Sequence, residues 1–189
     1  MNRSSDRQRL QALLTERSVQ VGDFTLSSGA RSTYYVDARL TTMSAEGQAL
    51  VGRVGYEAIR GAGWDPTHVG GLTLGADPVS YAIAHHSWVV GAPIDAYTVR
   101  KEAKVHGTGK RIEGGLPANA RVVVIEDAIT SGASALDAVS AVRDHGVRVL
   151  GVFCLVDRDE GGRERIEAAG CAVVAAFLGP DLRTGALAL

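Results

Sequence analysis

With 189 residues, 46% hydrophobic and 22% charged, the chain has the size and composition of one globular domain with a substantial core. A formal net charge of −1 removes the electrostatic ground for expecting nucleic acid or an anionic membrane surface as a partner. No apolar run approaches the ~20 residues of a membrane span and the opening MNRSSDRQRL lacks the apolar core of a secretion signal, so the expected location is the cytoplasm.

Residues 6–17 have the periodicity of an amphipathic helix, with Leu10, Leu13 and Leu14 on one face. Phe24-Thr25-Leu26 and Tyr34-Tyr35-Val36 predict two short strands around the polar, glycine-bearing turn at 27–32. A second helix is expected over 44–60, with Val51, Val54 and Ala58 inward and Gly61, Gly63 and Pro66 stopping it. His68-Val69-Gly70-Gly71-Leu72 begins the first core strand, and GGLTLGADP leads from it into a helix over 78–86. That turn is either a tight strand-to-helix connection or a cradle whose backbone amides hold an anion. A short apolar segment follows at 88–93, then a strand at 96–99 that ends in Arg100 and Lys101. RKEAKVHGTGKRIEGG, at 100–115, has four glycines and the cations Arg100, Lys101, Lys104, His106, Lys110 and Arg111. By itself it predicts a solvated, mobile loop; opposite a diphosphate it would neutralise charge on a departing pyrophosphate.

The most informative stretch is RVVVIEDAITSGA, at 121–133. Val122, Val123, Val124 and Ile125 have the composition of a strand buried on both faces of a parallel sheet. Glu126 and Asp127 stand at its carboxyl end, where open α/β sheets bind ligands. Thr130, Ser131, Gly132, Ala133 and Ser134 then open a helix whose apolar stripe is Ala135, Ala138, Val139 and Val142. Amides at such a helix start can hold a phosphate while two carboxylates grip a vicinal diol. The plain alternative is a buried strand with an acidic loop. The stretch lacks the Gly-Lys-Ser/Thr ending of a P-loop and the Gly-x-Gly-x-x-Gly of a dinucleotide site. Beyond it, 147–156 predict a buried strand ending in Asp157-Arg158-Asp159-Glu160-Gly161-Gly162, again on the ligand face. Asp159 and Glu160 there serve either a ligand or the turn that starts the next helix. A helix over 163–169, a strand over 171–178 and a short tail from 181 complete the chain. Cys154 and Cys171 lie in or beside apolar runs, as small buried hydrophobes in a reducing compartment do, and their spacing offers no metal site. Alternating strands and helices predict a mostly parallel central sheet flanked by helices, an α/β fold.

Five stretches between Phe24 and Gly162 also resemble one family, in its order. The apolar strand, acid pair and Thr-Ser-Gly resemble the phosphoribosyl-diphosphate (PRPP) signature of type I phosphoribosyltransferases. FTLSSGARSTYYVDAR is similar to the N-terminal substrate loop of the orotate phosphoribosyltransferases, GGLTLGADP to their pyrophosphate loop, RKEAKVHGTG to their catalytic loop, and VDRDEGG to their segment with an orotate-contacting arginine. The resemblance implies a single domain over 1–189, with a hood at about 1–40 and a PRPP-binding core at about 41–189. It implies transfer of the 5-phosphoribosyl group from PRPP to orotate, giving orotidine 5′-monophosphate and pyrophosphate in pyrimidine synthesis. By position, it implies catalytic roles for Glu126, Asp127, Lys104 and His106. PRPP would be bound by Thr73, Leu74, Gly75, Arg100, Lys101, Lys104, His106 and the run Glu126, Asp127, Ala128, Ile129, Thr130, Ser131, Gly132, Ala133, Ser134. Orotate would be bound by Ser27, Tyr35, Val36, Thr130 and Arg158. Mg²⁺ would be held mainly by substrate oxygens, with no dedicated protein ligands. The resemblance further implies a homodimer with shared sites, Lys104 and His106 closing over the partner's PRPP while Lys101 serves its own subunit, and a non-proline cis peptide at Thr73–Leu74. Some family members carry lysines where this chain has Ser27 and Gly75, so the leaving-group contacts that those lysines make are not implied here. A phosphoribosyltransferase for another base and a non-catalytic PRPP-sensing regulator are the alternatives.

Overall fold

The computed structural model describes residues 3–25, 31–102 and 111–187. Helix α1 (Arg3–Ser18) leads into an antiparallel hairpin of β1 (Val19–Thr25) and β2 (Arg31–Val36), whose register shifts between Val21 and Phe24. A single turn, α2 (Arg39–Thr42), precedes α3 (Ala45–Gly61), whose Ser44 cap accepts a hydrogen bond from the Gly47 N–H at 3.1 Å. Then come β3 (His68–Leu72), α4 (Ala76–Val89), β4 (Asp95–Val99) and the two-residue β5 (Ile112–Glu113). The carboxyl-terminal half is β6 (Arg121–Ile129), α5 (Ala133–Asp144), β7 (Arg148–Asp157), α6 (Gly162–Ala168), β8 (Val173–Leu178) and α7 (Gly179–Leu187).

The main sheet has the order β5-β4-β3-β6-β7-β8 and is parallel except for β5, which runs antiparallel to β4. Alternation along β6 explains its burial on both sides. Val123 and Ile125 join the apolar layer of α1, α3 and α4, while Val122 and Val124 join that of α5 and α6. Leu10, Leu13 and Leu14 are buried as their spacing predicts. From β3 the chain winds outward to β4, and from β6 it winds the other way to β7 and β8. The winding therefore reverses between β3 and β6, so their carboxyl ends diverge and leave a crevice, the usual ligand position in such sheets. Among the described residues no helix is long and apolar enough to cross a membrane.

Three local expectations are corrected. The tail from 181 is not a loop but part of α7, where Pro180 sits in the first turn and Leu182 is fully buried. Its glycines and short length give little helical signal by themselves; burial of Leu182 within the apolar layer of α1 supplies the stabilisation. The apolar residues Trp88 and Val89 belong to the last turn of α4 and are 74% and 66% exposed. The final strand begins at Val173, two residues later than its apolar run.

Candidate active site

The crevice contains a cavity of about 540 Å³, large enough for a substantial small molecule. Glu126, Asp127, Ala128 and Thr130 from the end of β6 line it, with Leu72, Thr73, Leu74 and Gly75 from the turn after β3. The hairpin and the residues after it contribute Thr25, Tyr35, Val36, Asp37 and Arg39; Lys101, Ser134 and Arg158 complete the lining. A smaller cavity of about 120 Å³ adjoins it, enclosed by Glu126 and by the residues from Ala128 to Ser134. It faces the start of α5, where Gly132 takes the left-handed conformation at φ 74°. An added Cβ at that glycine would lie 2.7 Å from the Gly162 carbonyl oxygen. The first-turn N–H groups of a helix have no partner within the helix, so this end offers donors and the positive end of the dipole.

Glu126 is 8% exposed, near the end of β6, where it borders both cavities. Burial pushes its carboxyl well above the usual carboxylate range; the charge of Asp127 and the hydrogen bond between the two side chains push it the same way. Asp127 is raised too, again by burial. Opposing that are its hydrogen bond with Glu126, the Ala128 N–H at 3.0 Å from Oδ1, and the positive charge of Arg39. Burial thus raises both carboxyls, while the Ala128 N–H and the Arg39 charge favour the ionised form of Asp127, which lines the cavity. This arrangement has a stability consequence. A carboxyl raised in the fold favours the folded state fully below its unfolded pKa of about 4.3, and that contribution is lost as pH rises through the folded value. Glu126→Gln keeps a donor toward Asp127 but cannot ionise. We expect its melting temperature to gain on wild type progressively above pH ~4, by about 2–4 °C for each kcal/mol of difference. Thermal unfolding between pH 4 and 9 measures this, and a pH-independent gap would remove the assigned cause.

The turn after β3 is held from behind. Asp77, 8% exposed, accepts hydrogen bonds from Thr73 Oγ1 at 2.7 Å and Thr98 Oγ1 at 2.8 Å. The Thr73–Leu74 peptide is cis, as the resemblance implied. Gly75 lies directly against the acid pair: a Cβ there would stand 2.4 Å from Asp127 Oδ1. Any side chain at position 75 thus requires the Asp127 carboxylate to turn.

Arg158 is buried at 3% exposure after the end of β7. Asp157 accepts hydrogen bonds from Arg163 Nε at 2.7 Å and from the Asp159 N–H at 3.0 Å, which turns the chain back toward the crevice. The Arg158 N–H donates to the Ile129 carbonyl at 3.0 Å, tying this loop to the end of β6. Its Nη2 donates to Ser32 Oγ and the Tyr34 carbonyl, each at 3.1 Å, and pairs with Glu160 at 2.8 Å. Glu160 and Asp159 do not line the cavity.

The structure thus brings together Thr73, Leu74, Gly75, Lys101, Glu126, Asp127, Ala128, Thr130, Ser134, Tyr35, Val36 and Arg158 in the larger cavity, and Ile129, Ser131, Gly132 and Ala133 in the smaller. Arg100 lines neither and instead faces Glu113 of β5 at 3.8 Å. Ser27, Lys104 and His106 lie outside the described residues. Asp37 and Arg39 were missed by sequence reasoning. They form a bidentate pair, Nε to Oδ1 at 2.8 Å and Nη2 to Oδ2 at 3.0 Å, which places a cation opposite Asp127. Both close the stretch FTLSSGARSTYYVDAR, whose resemblance pointed to Tyr35 and Val36 rather than to them. Among the described residues no cluster of three or more His, Cys, Asp or Glu side chains could hold a metal ion by itself.

No protein-family model matches the chain. It is 47% identical over 175 residues to the orotate phosphoribosyltransferase of Aquifex aeolicus, covering 91% of this chain and 94% of that protein. With the orotate phosphoribosyltransferase of Mycobacterium tuberculosis it shares 50% identity over 165 residues, 87% of this chain and 89% of the relative. The crystal structure of the M. tuberculosis enzyme in complex with 5-phospho-α-D-ribosyl 1-diphosphate matches with a TM-score of 0.78 at 45% identity, over 94% of this chain and 98% of that one. Nearly complete coverage in both directions, together with a parallel sheet whose acid pair and helix start meet at the reversal of winding, settles the relationship: the chain belongs to the orotate phosphoribosyltransferases, enzymes of the type I phosphoribosyltransferase fold.

Proposed function

We propose that this chain transfers the 5-phosphoribosyl group of PRPP to orotate in the cavity between β3 and β6, releasing pyrophosphate. The carrying observation is that the Glu126–Asp127 pair, the cradle at the start of α5 and the buried Arg158 border adjoining cavities at one end of the sheet. The C1′–O bond to pyrophosphate breaks as the bond from the base nitrogen to C1′ forms, through an oxocarbenium-like ribose, so no protein nucleophile is needed. Positioning and electrostatics carry the rate. Asp127 faces the ribose hydroxyls and the developing cation, and its hydrogen bond with Glu126 holds it there. The amides and hydroxyls of Thr130, Ser131, Gly132, Ala133 and Ser134 hold the 5′-phosphate. Thr73, Leu74 and Gly75 present backbone to the pyrophosphate, and Lys101 neutralises it. Arg100, Lys104 and His106 are assigned to PRPP, and Ser27 to the base, by resemblance. Tyr35, Val36, Thr130 and Arg158 surround the base, Arg158 as a planar donor to its carboxylate or carbonyl.

Magnesium fits this site as a substrate-borne ion, since the Glu126–Asp127 carboxyls at the cavity are the kind of donor that Mg²⁺ combines with phosphate oxygens. When bound, the ion neutralises diphosphate charge. We further propose that residues 1–40 act as a hood over a core formed by 41–189, in one domain, and that the enzyme works in the cytoplasm, without nucleic acid or membrane. It acts as a homodimer. Supporting this, Met43, Leu74 and Tyr81, each about half exposed, border a groove beside the cavity that a second copy would cover. An absorbance assay requiring orotate and PRPP, with and without Mg²⁺ and across a panel of bases, tests the reaction; turnover of another base in preference to orotate would overturn it. In the same assay Arg158→Ala is expected to raise the orotate KM far more than the PRPP KM. Equal changes would assign Arg158 to the phosphates or to structure alone.

A further inference from the structure

We infer that Tyr34 is a positioning residue for base selection, acting through Arg158; this rests on the assignment of Arg158 to the base given above. Tyr34 is a β2 residue at 6% exposure and does not line the cavity. It grips Arg158, which lies 124 residues away in sequence, in three ways. The side chain of each donates to the backbone of the other: Arg158 Nη2 to the Tyr34 carbonyl at 3.1 Å, and the Tyr34 hydroxyl to the Arg158 carbonyl at 3.2 Å. The guanidinium carbon also sits 4.7 Å from the centre of the Tyr34 ring. Ser32 Oγ takes part from the same strand, accepting from Arg158 Nη2 at 3.1 Å and donating to the Tyr34 carbonyl at 2.8 Å. The start of α7 leaves space for this clasp, since a Cβ at Gly179 would stand 2.5 Å from the Tyr34 hydroxyl.

The clasp decides what the guanidinium can offer. Nη2 is shared among Ser32, Tyr34 and Glu160, whereas Nε is buried with no hydrogen-bond partner among the described residues. A buried N–H left unpaired is costly, and a group at the edge of a ligand cavity recovers that cost when a ligand acceptor arrives. Tyr34 thus fixes the plane and rotation of the Arg158 guanidinium at the cavity lining, so that it meets one base geometry. It also makes base recognition depend on β2 being docked. A tyrosine that merely packs the hairpin would have no such selectivity.

The test is a double-mutant cycle read in separate KM values. Tyr34→Leu removes ring and hydroxyl and is expected to raise the orotate KM about tenfold, the scale of a desolvated cation–π contact plus a hydrogen bond. Tyr34→Phe, which keeps the ring, should recover most of that, leaving about a threefold rise, the scale of one hydrogen bond. The PRPP KM should stay within about twofold in both. In an Arg158→Ala background, neither Tyr34 substitution should raise the orotate KM further, because residues acting through one group are not additive. Equal rises in both KM values, or full additivity with Arg158→Ala, would overturn the inference and leave Tyr34 a packing residue. If Tyr34→Leu fails to fold, the cycle is run with Tyr34→Phe and the same criteria hold. Failure of the underlying assignment is separately visible: Arg158→Ala alone would then not raise the orotate KM selectively.

Discussion

Asp127→Asn is expected to lower turnover at least ~10²-fold with little change in substrate KM, the scale of losing one electrostatic contact made in the transition state. The substitution keeps the shape and the Ala128 N–H contact at 3.0 Å but removes the negative charge that faces the cavity. Which acid matters more follows from their protonation. Burial raises both acids, but the Ala128 N–H and the Arg39 charge favour the ionised form of Asp127, so Asp127 is the member expected to carry charge toward the ribose. Glu126→Gln should therefore lose activity as well, but less, since Gln still donates to its neighbour. Steady-state rates of the two variants check the order. Wild-type turnover in Asp127→Asn, or a larger loss in Glu126→Gln, would sink the assignment of the charge.

Mixing two inactive variants, Lys104→Ala and Asp127→Asn, under conditions of subunit exchange is expected to restore activity toward roughly a quarter of wild type. With shared sites, a mixed dimer collects both lesions in one site and leaves the other intact. Statistical pairing at equal mixing makes half of the dimers mixed, each with half of its sites working. The starting variants would show almost no turnover, so the recovery is a large signal. The half-exposed Leu74, which lies in both the substrate cavity and the adjoining apolar groove, supports a site at the edge of an interface. Demonstrated exchange with no recovery would mean that Lys104 serves its own subunit.

Local chemistry made the middle of the chain legible. A β-branched run followed by two acids, small residues and a 3.6-residue stripe can hardly form anything but β6, the turn and α5, because each step satisfies propensity, burial and capping at once. Leu10, Leu13 and Leu14 were equally readable, since their spacing names the face they bury. The acid pair, the helix-start cradle and Arg158 were found for the same reason: each lies within a few residues of a strand end. What the amino-acid order could not determine depends on chain segments far apart. Helix α7 has little intrinsic tendency and exists because Leu182 finds the layer formed with α1 and β8. The raised pKa of Glu126 follows from exclusion of water by the surrounding layers, which no neighbouring residue announces. Asp37 and Arg39 become site residues only when the hairpin brings their pair opposite Asp127. The Tyr34–Arg158 clasp, across 124 residues, needs both β2 and the loop after β7 in place before any of its contacts can form. Sequence by itself determined which groups were available to bind and neutralise a phosphorylated sugar. Tertiary structure alone decided their charge, their aim and their partners, because dielectric and distance are properties of the packed whole.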